Sequence, residues 1–147
     1  MLFITLIFHK DFTQGENIMG STGAFLESGG FKSQGWEENG RMYGIKILKK
    51  KTKGKERQSL PPFSNTPGTA YILLNQDGSF KQFRQYGEYR KPLFDIDYGK
   101  HDGKVSLHIH YKRSKDREPD IIASKEDGIV DKKLYNKYKK FLKGVDL

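Results

Sequence analysis

The sequence contains no cysteine, no long hydrophobic run and no glycine-rich nucleotide-binding motif. The absence of cysteine from all 147 residues excludes a disulfide framework, a thiolate zinc site and a cysteine nucleophile. A membrane helix requires ~18 or more consecutive apolar residues, whereas the longest apolar run of this chain ends before His9. Neither the phosphate-binding loop of nucleotide hydrolases nor the dinucleotide-binding fingerprint is present. We therefore expect a soluble protein that uses no nucleotide cofactor.

Acidic residues are few in comparison with basic ones. The chain has 27 Lys and Arg against 18 Asp and Glu, which gives a formal charge of +9, and this excess favours an anionic partner such as nucleic acid. Hydrophobic residues make up only 35% of the chain, but aromatic residues reach 13%, so a small core built around rings is available. The length suits one domain, because single cores become common near ~100–150 residues.

The first 18 residues differ from the rest of the chain. The apolar run MLFITLIF lacks the basic segment and the cleavage site of a signal peptide. The peptide QGENIM, which ends at Met19, can be encoded as CAA GGA GAA AAT ATT ATG, and this would place a bacterial ribosome-binding sequence just upstream of Met19. We expect translation to start at Met19 and residues 1–18 to be a translated leader outside the fold. A first strand formed by LFITLIF is the alternative.

A compositional change divides the remaining chain. Residues 19–42 are rich in Gly and Ser and carry aromatic residues at no consistent period, which predicts an N-terminal arm. Residues 43–147 are predicted to form a single β-rich domain. The segment YGIKIL at 43–48 indicates a short strand that leads into a basic run at 49–57, where nonspecific attraction to a nucleic acid backbone is expected. Prolines then exclude helix and predict a turn at 61–68.

Two strand pairs are predicted in the middle of the chain. Segments 69–74 and 79–86 are rich in β-forming residues and flank the turn Asn75-Gln76-Asp77-Gly78, which indicates a hairpin. Segments 93–98 and 104–112 flank a second turn. Three aromatic residues of the first hairpin are expected in the core rather than as base-stacking platforms: Phe80, Phe83 and Tyr86.

The C-terminal part is expected to contain a charged loop at 114–127 and one helix. Asp131 is a suitable N-cap for a helix over residues 132–143, which Gly144 ends. The apolar residues of this segment fall on one stripe, so the helix should pack on the sheet. The fold class that follows is α+β, with a mainly antiparallel sheet of about four strands in a hairpin meander and a C-terminal helix packed on it.

Residues able to do chemistry concentrate between positions 95 and 112. The segment 104–112 alternates strictly, so its polar side chains share one face of a strand. Histidines at i and i+2 on such a strand lie roughly 7 Å apart at Cβ, close enough to bracket one phosphate or one metal ion. The candidate catalytic residues are His101, His108, His110 and Lys112. The candidate substrate-binding residues are Arg84, Arg90, Asp95 and Asp97.

Two mechanisms are compatible with this set. In metal-independent RNA cleavage, one imidazole takes the 2′-hydroxyl proton, another group protonates the leaving oxygen, and a cation stabilises the charge on phosphorus. No cofactor is then needed. In the alternative, a divalent metal ion held by Asp95, Asp97 and His101, with His108 and His110 able to join it, activates a water molecule. A third interpretation is that these residues simply occupy the solvent face of a sheet.

Five short motifs follow one another along the chain: Ser64-Asn65-x-Pro67, Asn75-x-Asp77-Gly78, Arg84-x-Tyr86-Gly87, Asp95-x-Asp97-Tyr98-x-x-His101 and His108-x-His110. Together they resemble small β-rich domains at the C-termini of bacterial polymorphic toxins and of prophage head-associated proteins, over about half the chain. The resemblance implies a nuclease-like domain of ribonuclease type, with Asp95, Asp97, His101, His108 and His110 in the site. Family members often have proline before and tryptophan after the paired histidines, where this chain has Leu107 and Tyr111.

The expected function is therefore that of a toxin-like domain, associated with a phage or prophage, that acts as a metal-independent ribonuclease. Its expected partner is RNA and not a membrane, and its expected location is the cytoplasm of a bacterial host or the virion. With His108 and His110 as the acid and base pair, the phosphate contacts would come from Lys112, Arg84 or Arg90. The alternative is a non-enzymatic phage accessory or structural protein whose basic surface binds nucleic acid or an acidic partner, such as an immunity or phage protein.

Overall fold

The computed structural model describes residues 30–51, 59–113 and 117–147, and within them eight strands form one sheet in chain order. The strands are β1 Trp36–Met42, β2 Ile45–Lys50, β3 Ala70–Leu74, β4 Phe80–Tyr86, β5 Pro92–His101, β6 Lys104–Tyr111, β7 Asp120–Ser124 and β8 Gly128–Ile129. Helix α1, Lys132–Tyr138, follows and continues as a 3₁₀ turn, Lys139–Phe141. Strands β2 and β3 are parallel, whereas every other neighbouring pair is antiparallel.

The expected combination of a sheet and a C-terminal helix is confirmed, but the expected number of about four strands is wrong. Strand β1 lies within the interval assigned to the N-terminal arm, and its residues are mostly exposed, so its sequence lacks the alternation that identifies a half-buried strand. Strands β7 and β8 contain only five and two residues, inside and just after a charged segment. The proposed leader, the arm up to residue 29 and most of the basic run lie outside the described residues.

The predicted hairpin and helix start are present. Strands β3 and β4 pair antiparallel, with Ile72 opposite Phe83. The carboxylate of Asp131 accepts a hydrogen bond from the Leu134 amide at 3.0 Å, which caps the helix as expected. The helix itself is shorter than expected, because α1 gives way to a 3₁₀ turn after Tyr138.

Two hydrophobic clusters cover the two faces of the sheet. Alternation along β3 places Ile72 on one face and its neighbours Tyr71 and Leu73 on the other. The first cluster packs against the C-terminal segment and includes Ile72, Phe80, Phe83, Ile96, Leu107, Ile109, Tyr138 and Phe141. The second includes Phe31, Trp36, Leu48, Leu60, Tyr71, Leu73 and Tyr86. The three hairpin aromatics are therefore core residues, as expected.

The second cluster is built from β1 to β4 and the segments beside them. On the same face, β5 and β6 present polar residues, among them Asp95, which lies opposite Arg84 of β4. This leaves a polar area beside a hydrophobic one on a single face. Among the described residues, no helix is long and apolar enough to cross a bilayer.

Candidate active site

Strand register brings six polar side chains onto one face. Two rows of directly opposed residues cross β4, β5 and β6: Gln82, Asp97 and His108 in the first row, and Arg84, Asp95 and His110 in the second. The rows lie two residues apart on each strand, so their side chains point to the same side of the sheet. A cavity of about 450 Å³ opens over these rows. We call it the histidine pocket, defined by Asp95, Asp97, His101, His108, His110 and Lys112.

The three histidine rings of the pocket contact one another. The ring centroids of His108 and His110 are 4.9 Å apart. The ring of His101, at the end of β5, lies 5.3 Å from that of His108 and 6.0 Å from that of His110. Three imidazoles thus share one small volume, although they come from two strands.

His108 is the buried member of this group, with 5% of its surface exposed. Its Nδ1 lies 3.2 Å from both the hydroxyl and the carbonyl oxygen of Ser106. Burial, together with the neighbouring His110, lowers the pKa of His108 to about 4. The ring is therefore neutral at pH 7, and it packs against the more exposed rings of His101 and His110.

His110 is more accessible and is paired with Asp97. The His110 Nε2 lies 3.4 Å from the Asp97 Oδ2, and 34% of the His110 side chain is exposed. Burial, together with the nearby Asp95 carboxylate, raises the pKa of the Asp97 carboxyl to about 6. Burial also lowers the pKa of His110, as does the adjacent Lys112. The two groups together can hold and release a proton.

Asp95 is the centre of a buried charge network. Its Oδ1 accepts a hydrogen bond from Arg84 Nε at 2.6 Å, and its Oδ2 accepts one from Arg84 Nη2 at 2.7 Å. The Nζ of Lys112 lies 2.7 Å from the same Oδ2. The remaining Arg84 nitrogen, Nη1, donates to the carbonyl of Leu60 at 2.6 Å. Asp95 therefore positions the ammonium of Lys112, while Arg84 connects the sheet to the segment around Leu60.

His101 stands at the rim of the pocket. Its Nε2 lies 3.2 Å from the Glu118 Oε2 and 3.3 Å from the Asp102 Oδ2. Asp102 begins the turn between β5 and β6 with a φ of 48°, a left-handed conformation that aspartate tolerates better than most residues. The turn thus holds a carboxylate beside an imidazole that is 31% exposed.

The structure brings together seven of the eight candidate residues: Arg84, Asp95, Asp97, His101, His108, His110 and Lys112 all line the pocket. Arg84 is nonetheless a buried partner of Asp95 rather than a group directed at a ligand. Arg90 does not line this cavity, because it lies in the turn between β4 and β5 with a φ of 62°. Its Nη1 donates to the Ser64 carbonyl at 3.3 Å.

Six residues that line the pocket were not among the predicted site residues: Ser59, Lys81, Gln82, Tyr98, Gly99 and Lys100. Gln82 lies two residues before Arg84, so strand alternation could have identified it. Lys81 sits where the register between β3 and β4 shifts, and such a bulge changes the direction of a side chain. Ser59 lies in the long connection that precedes β3, and no local sequence pattern indicates that it reaches the pocket.

Two groups in the described part of the chain could hold a metal ion. Ligand atoms of Asp97, His108 and His110 lie within 4.8 Å of one another, and so do those of His101, Asp102 and Glu118. The expected ligand set of Asp95, Asp97 and His101 is not one of these groups. Asp95 is already bound by Arg84 and Lys112, and His101 belongs to the second group.

Comparisons of the chain with protein-family models, curated proteins and solved structures found no match. The resemblance to toxin and prophage domains therefore stays a prediction.

Proposed function

We propose that this protein is a metal-independent ribonuclease that cleaves RNA in the histidine pocket. The observation that supports this most strongly is the meeting of three imidazoles beside Lys112 in one open cavity. A concave site with convergent proton-transfer groups and a cation contains the parts that phosphodiester transesterification requires.

In this proposal His110 is the general base. When its Nε2 carries the proton and donates it to Asp97, 3.4 Å away, the other ring nitrogen is left to accept the proton of the ribose 2′-hydroxyl. Asp97 then orients the ring and stabilises the imidazolium that forms, as the carboxylate does in a hydrolytic triad. Asp97 is thus a positioning residue for His110.

His101 is the proposed general acid. Its ring lies 6.0 Å from that of His110, so the two imidazoles can act on opposite sides of one phosphate. As the bond between the 2′-oxygen and phosphorus forms and the bond from phosphorus to the 5′-oxygen breaks, His101 gives its proton to the leaving oxygen. The products are a 2′,3′-cyclic phosphate and a 5′-hydroxyl.

Burial favours His101 over His108 as the partner of His110. The sequence pattern alone pairs His108 with His110, but only 5% of His108 is exposed, whereas 31% of the His101 side chain is exposed. A proton donor must reach the substrate. His108 is instead a buried residue that packs against the rings of His101 and His110.

Lys112 supplies the positive charge that the reaction needs. Its ammonium is held 2.7 Å from Asp95, and the side chain is 39% exposed at the pocket. Lys81 and Lys100 also line the cavity. Preorganised cations stabilise the negative charge that develops on the phosphoryl oxygens.

A metal-dependent phosphodiesterase is the second candidate, because the ligand atoms of Asp97, His108 and His110 lie within 4.8 Å of one another. A divalent ion there would activate water rather than the 2′-hydroxyl. The two candidates differ in their response to a chelator and in their products.

The test uses the purified chain and labelled single-stranded RNA, with and without chelator. We expect cleavage to survive the chelator and to be lost in His110→Ala and in His101→Ala, while His9→Ala, which changes the remaining histidine, keeps it. Circular dichroism verifies that each variant is folded. Activity that disappears with the chelator favours the metal candidate. No cleavage under any condition contradicts both and favours the non-enzymatic alternative.

A further inference from the structure

A second cavity, of about 540 Å³, adjoins the histidine pocket. His110 and Lys112 line both cavities. We call the second one the outer cavity, defined by Phe63, Lys91, His110, Tyr111, Lys112 and Arg117. A ligand with a phosphate at Lys112 can therefore extend into it.

The outer cavity is cationic. Among the described residues that line it, Lys91, Lys112 and Arg117 are basic and none is acidic. The guanidinium of Arg117 is held in place by Asp120, whose two carboxylate oxygens lie 3.0 and 2.7 Å from its Nη2. This charge suits a phosphodiester backbone.

Aromatic rings accompany these cations. Tyr111 is the last residue of β6 and is 40% exposed. Its side chain points to the side of the sheet opposite His110, and its ring centroid lies 6.2 Å from that of Phe94 and 5.8 Å from the Arg117 guanidinium carbon. Phe63 is half-buried and lines the same cavity. Rings beside cations are the combination with which proteins bind unpaired bases, since each base offers a flat face for stacking.

The segment that carries Phe63 is fixed to the site. Arg84, the partner of Asp95, donates to the carbonyls of Leu60 and Pro61, and the Gln34 amide donates to the Phe63 carbonyl at 3.1 Å. The wall of the outer cavity and the charge network of the histidine pocket are therefore connected by hydrogen bonds. A preformed wall reduces the ordering cost of binding.

We propose that the outer cavity binds the nucleotide next to the scissile phosphate of single-stranded RNA, with its base against Phe63 or Tyr111 and its phosphate near Lys91 and Arg117. The base must be unpaired, because a base within a duplex is already stacked on its neighbours and cannot enter a cavity. The placement of this nucleotide next to a scissile phosphate rests on the proposed ribonuclease function. The contacts with its base and its backbone do not depend on that function.

The first experiment measures binding without cleavage. A labelled 2′-O-methyl oligonucleotide, which has no free 2′-hydroxyl to react, is compared with the same strand lacking its bases. We expect the full chain to prefer the strand with bases, and Phe63→Leu and Tyr111→Leu to weaken its binding by about 5- to 160-fold in total, since stacking contributes roughly 1–3 kcal/mol per base. An acidic peptide would use the cations alone, so it should bind these variants and the parent chain equally.

Controls separate a lost contact from a lost fold. Tyr111→Phe keeps a ring and should retain the binding of the parent chain. Tyr43→Leu removes a tyrosine that is 68% exposed but contacts Phe141 and Lys140 instead, and it should also leave binding unchanged. Equal affinity for strands with and without bases, or unchanged binding by both folded leucine variants, would overturn the inference.

The outcomes distinguish this inference from the proposed function. His101→Ala should abolish cleavage and keep the preference for bases, because His101 does not line the outer cavity. If the parent chain cleaves no RNA but shows a preference for bases that depends on the rings, the inference stands and the ribonuclease proposal fails. If cleavage occurs but Phe63→Leu and Tyr111→Leu bind RNA as the parent chain does, the ribonuclease proposal stands and the inference fails.

Discussion

Arg84 binds Asp95 through two hydrogen bonds, at 2.6 and 2.7 Å, and both residues are buried. A buried ion pair stabilises a fold little in comparison with a hydrophobic pair, but removal of one partner leaves an uncompensated charge. This pair also fixes Lys112 and the Leu60 segment. Substitution of either residue is therefore expected to change both the stability of the protein and its activity.

We expect Asp95→Ala to lower the free energy of unfolding by about 3–5 kcal/mol, because Arg84 is left buried without its anion. Urea unfolding measures the loss. Glu38→Ala is the control, since its pair with Arg41 is exposed and should contribute no more than about 1 kcal/mol. The double variant Arg84→Met, Asp95→Leu should recover most of the stability. A loss below about 1 kcal/mol in Asp95→Ala would contradict the network.

We expect Lys112→Ala to lower kcat by about 10²–10³, with a smaller effect on KM, because its charge stabilises the transition state more than the bound substrate. Steady-state cleavage of a short RNA measures both constants. Lys132→Ala is the matched control, since it removes a lysine from the exposed surface of α1. Equal losses in the two variants would show that Lys112 contributes only general charge.

The Asp97 carboxyl makes stability fall as the pH rises. Its pKa is raised from 3.8 to about 6 in the folded protein, so between these values the native state binds more protons than the unfolded state. We therefore expect Asp97→Asn to become more stable relative to the parent chain as the pH rises from about 4 to 6, by at most about 3 kcal/mol. Urea midpoints at several pH values test this. A constant difference over the range would contradict it.

His108 has the opposite effect. Its pKa is lowered from 6.5 to about 4, so in this range the unfolded state binds the additional proton and the native state gains stability as the pH rises. His108→Asn keeps an amide that can bond to Ser106, and its stability should lack this gain. The free energy of unfolding of the parent chain, relative to that of the variant, should thus increase from pH ~4 to ~6.5. In the parent chain the contributions of Asp97 and His108 oppose each other.

The central strands could be predicted from the sequence because their alternation is clear. The pattern of β6 correctly placed His108 and His110 on one face and Leu107 and Ile109 on the other. Edge strands carry little of this signal: β1 is mostly exposed and β8 has two residues. Where neither face of a strand is buried, the side-chain pattern specifies its pairing only weakly.

The site could be predicted in part. The i and i+2 spacing of His108 and His110 predicts that their side chains lie together, and their ring centroids are 4.9 Å apart. No such spacing rule places His101 beside them. Spacing could not show that Arg84 is buried against Asp95, since this depends on the register between β4 and β5 and on a segment more than 20 residues away that accepts hydrogen bonds from the Arg84 guanidinium. Nor could spacing show that His108 lies beneath its neighbours, because burial is set by tertiary packing.

The most direct test of the account is cleavage, in the presence of chelator, of a 2′-O-methyl strand that contains a single unmodified ribonucleotide. We predict one cut, immediately after that nucleotide, with a 2′,3′-cyclic phosphate on one product and a 5′-hydroxyl on the other, and no cut by His110→Ala. Cleavage at modified positions, or its loss on chelation, would contradict attack by the 2′-hydroxyl in the histidine pocket.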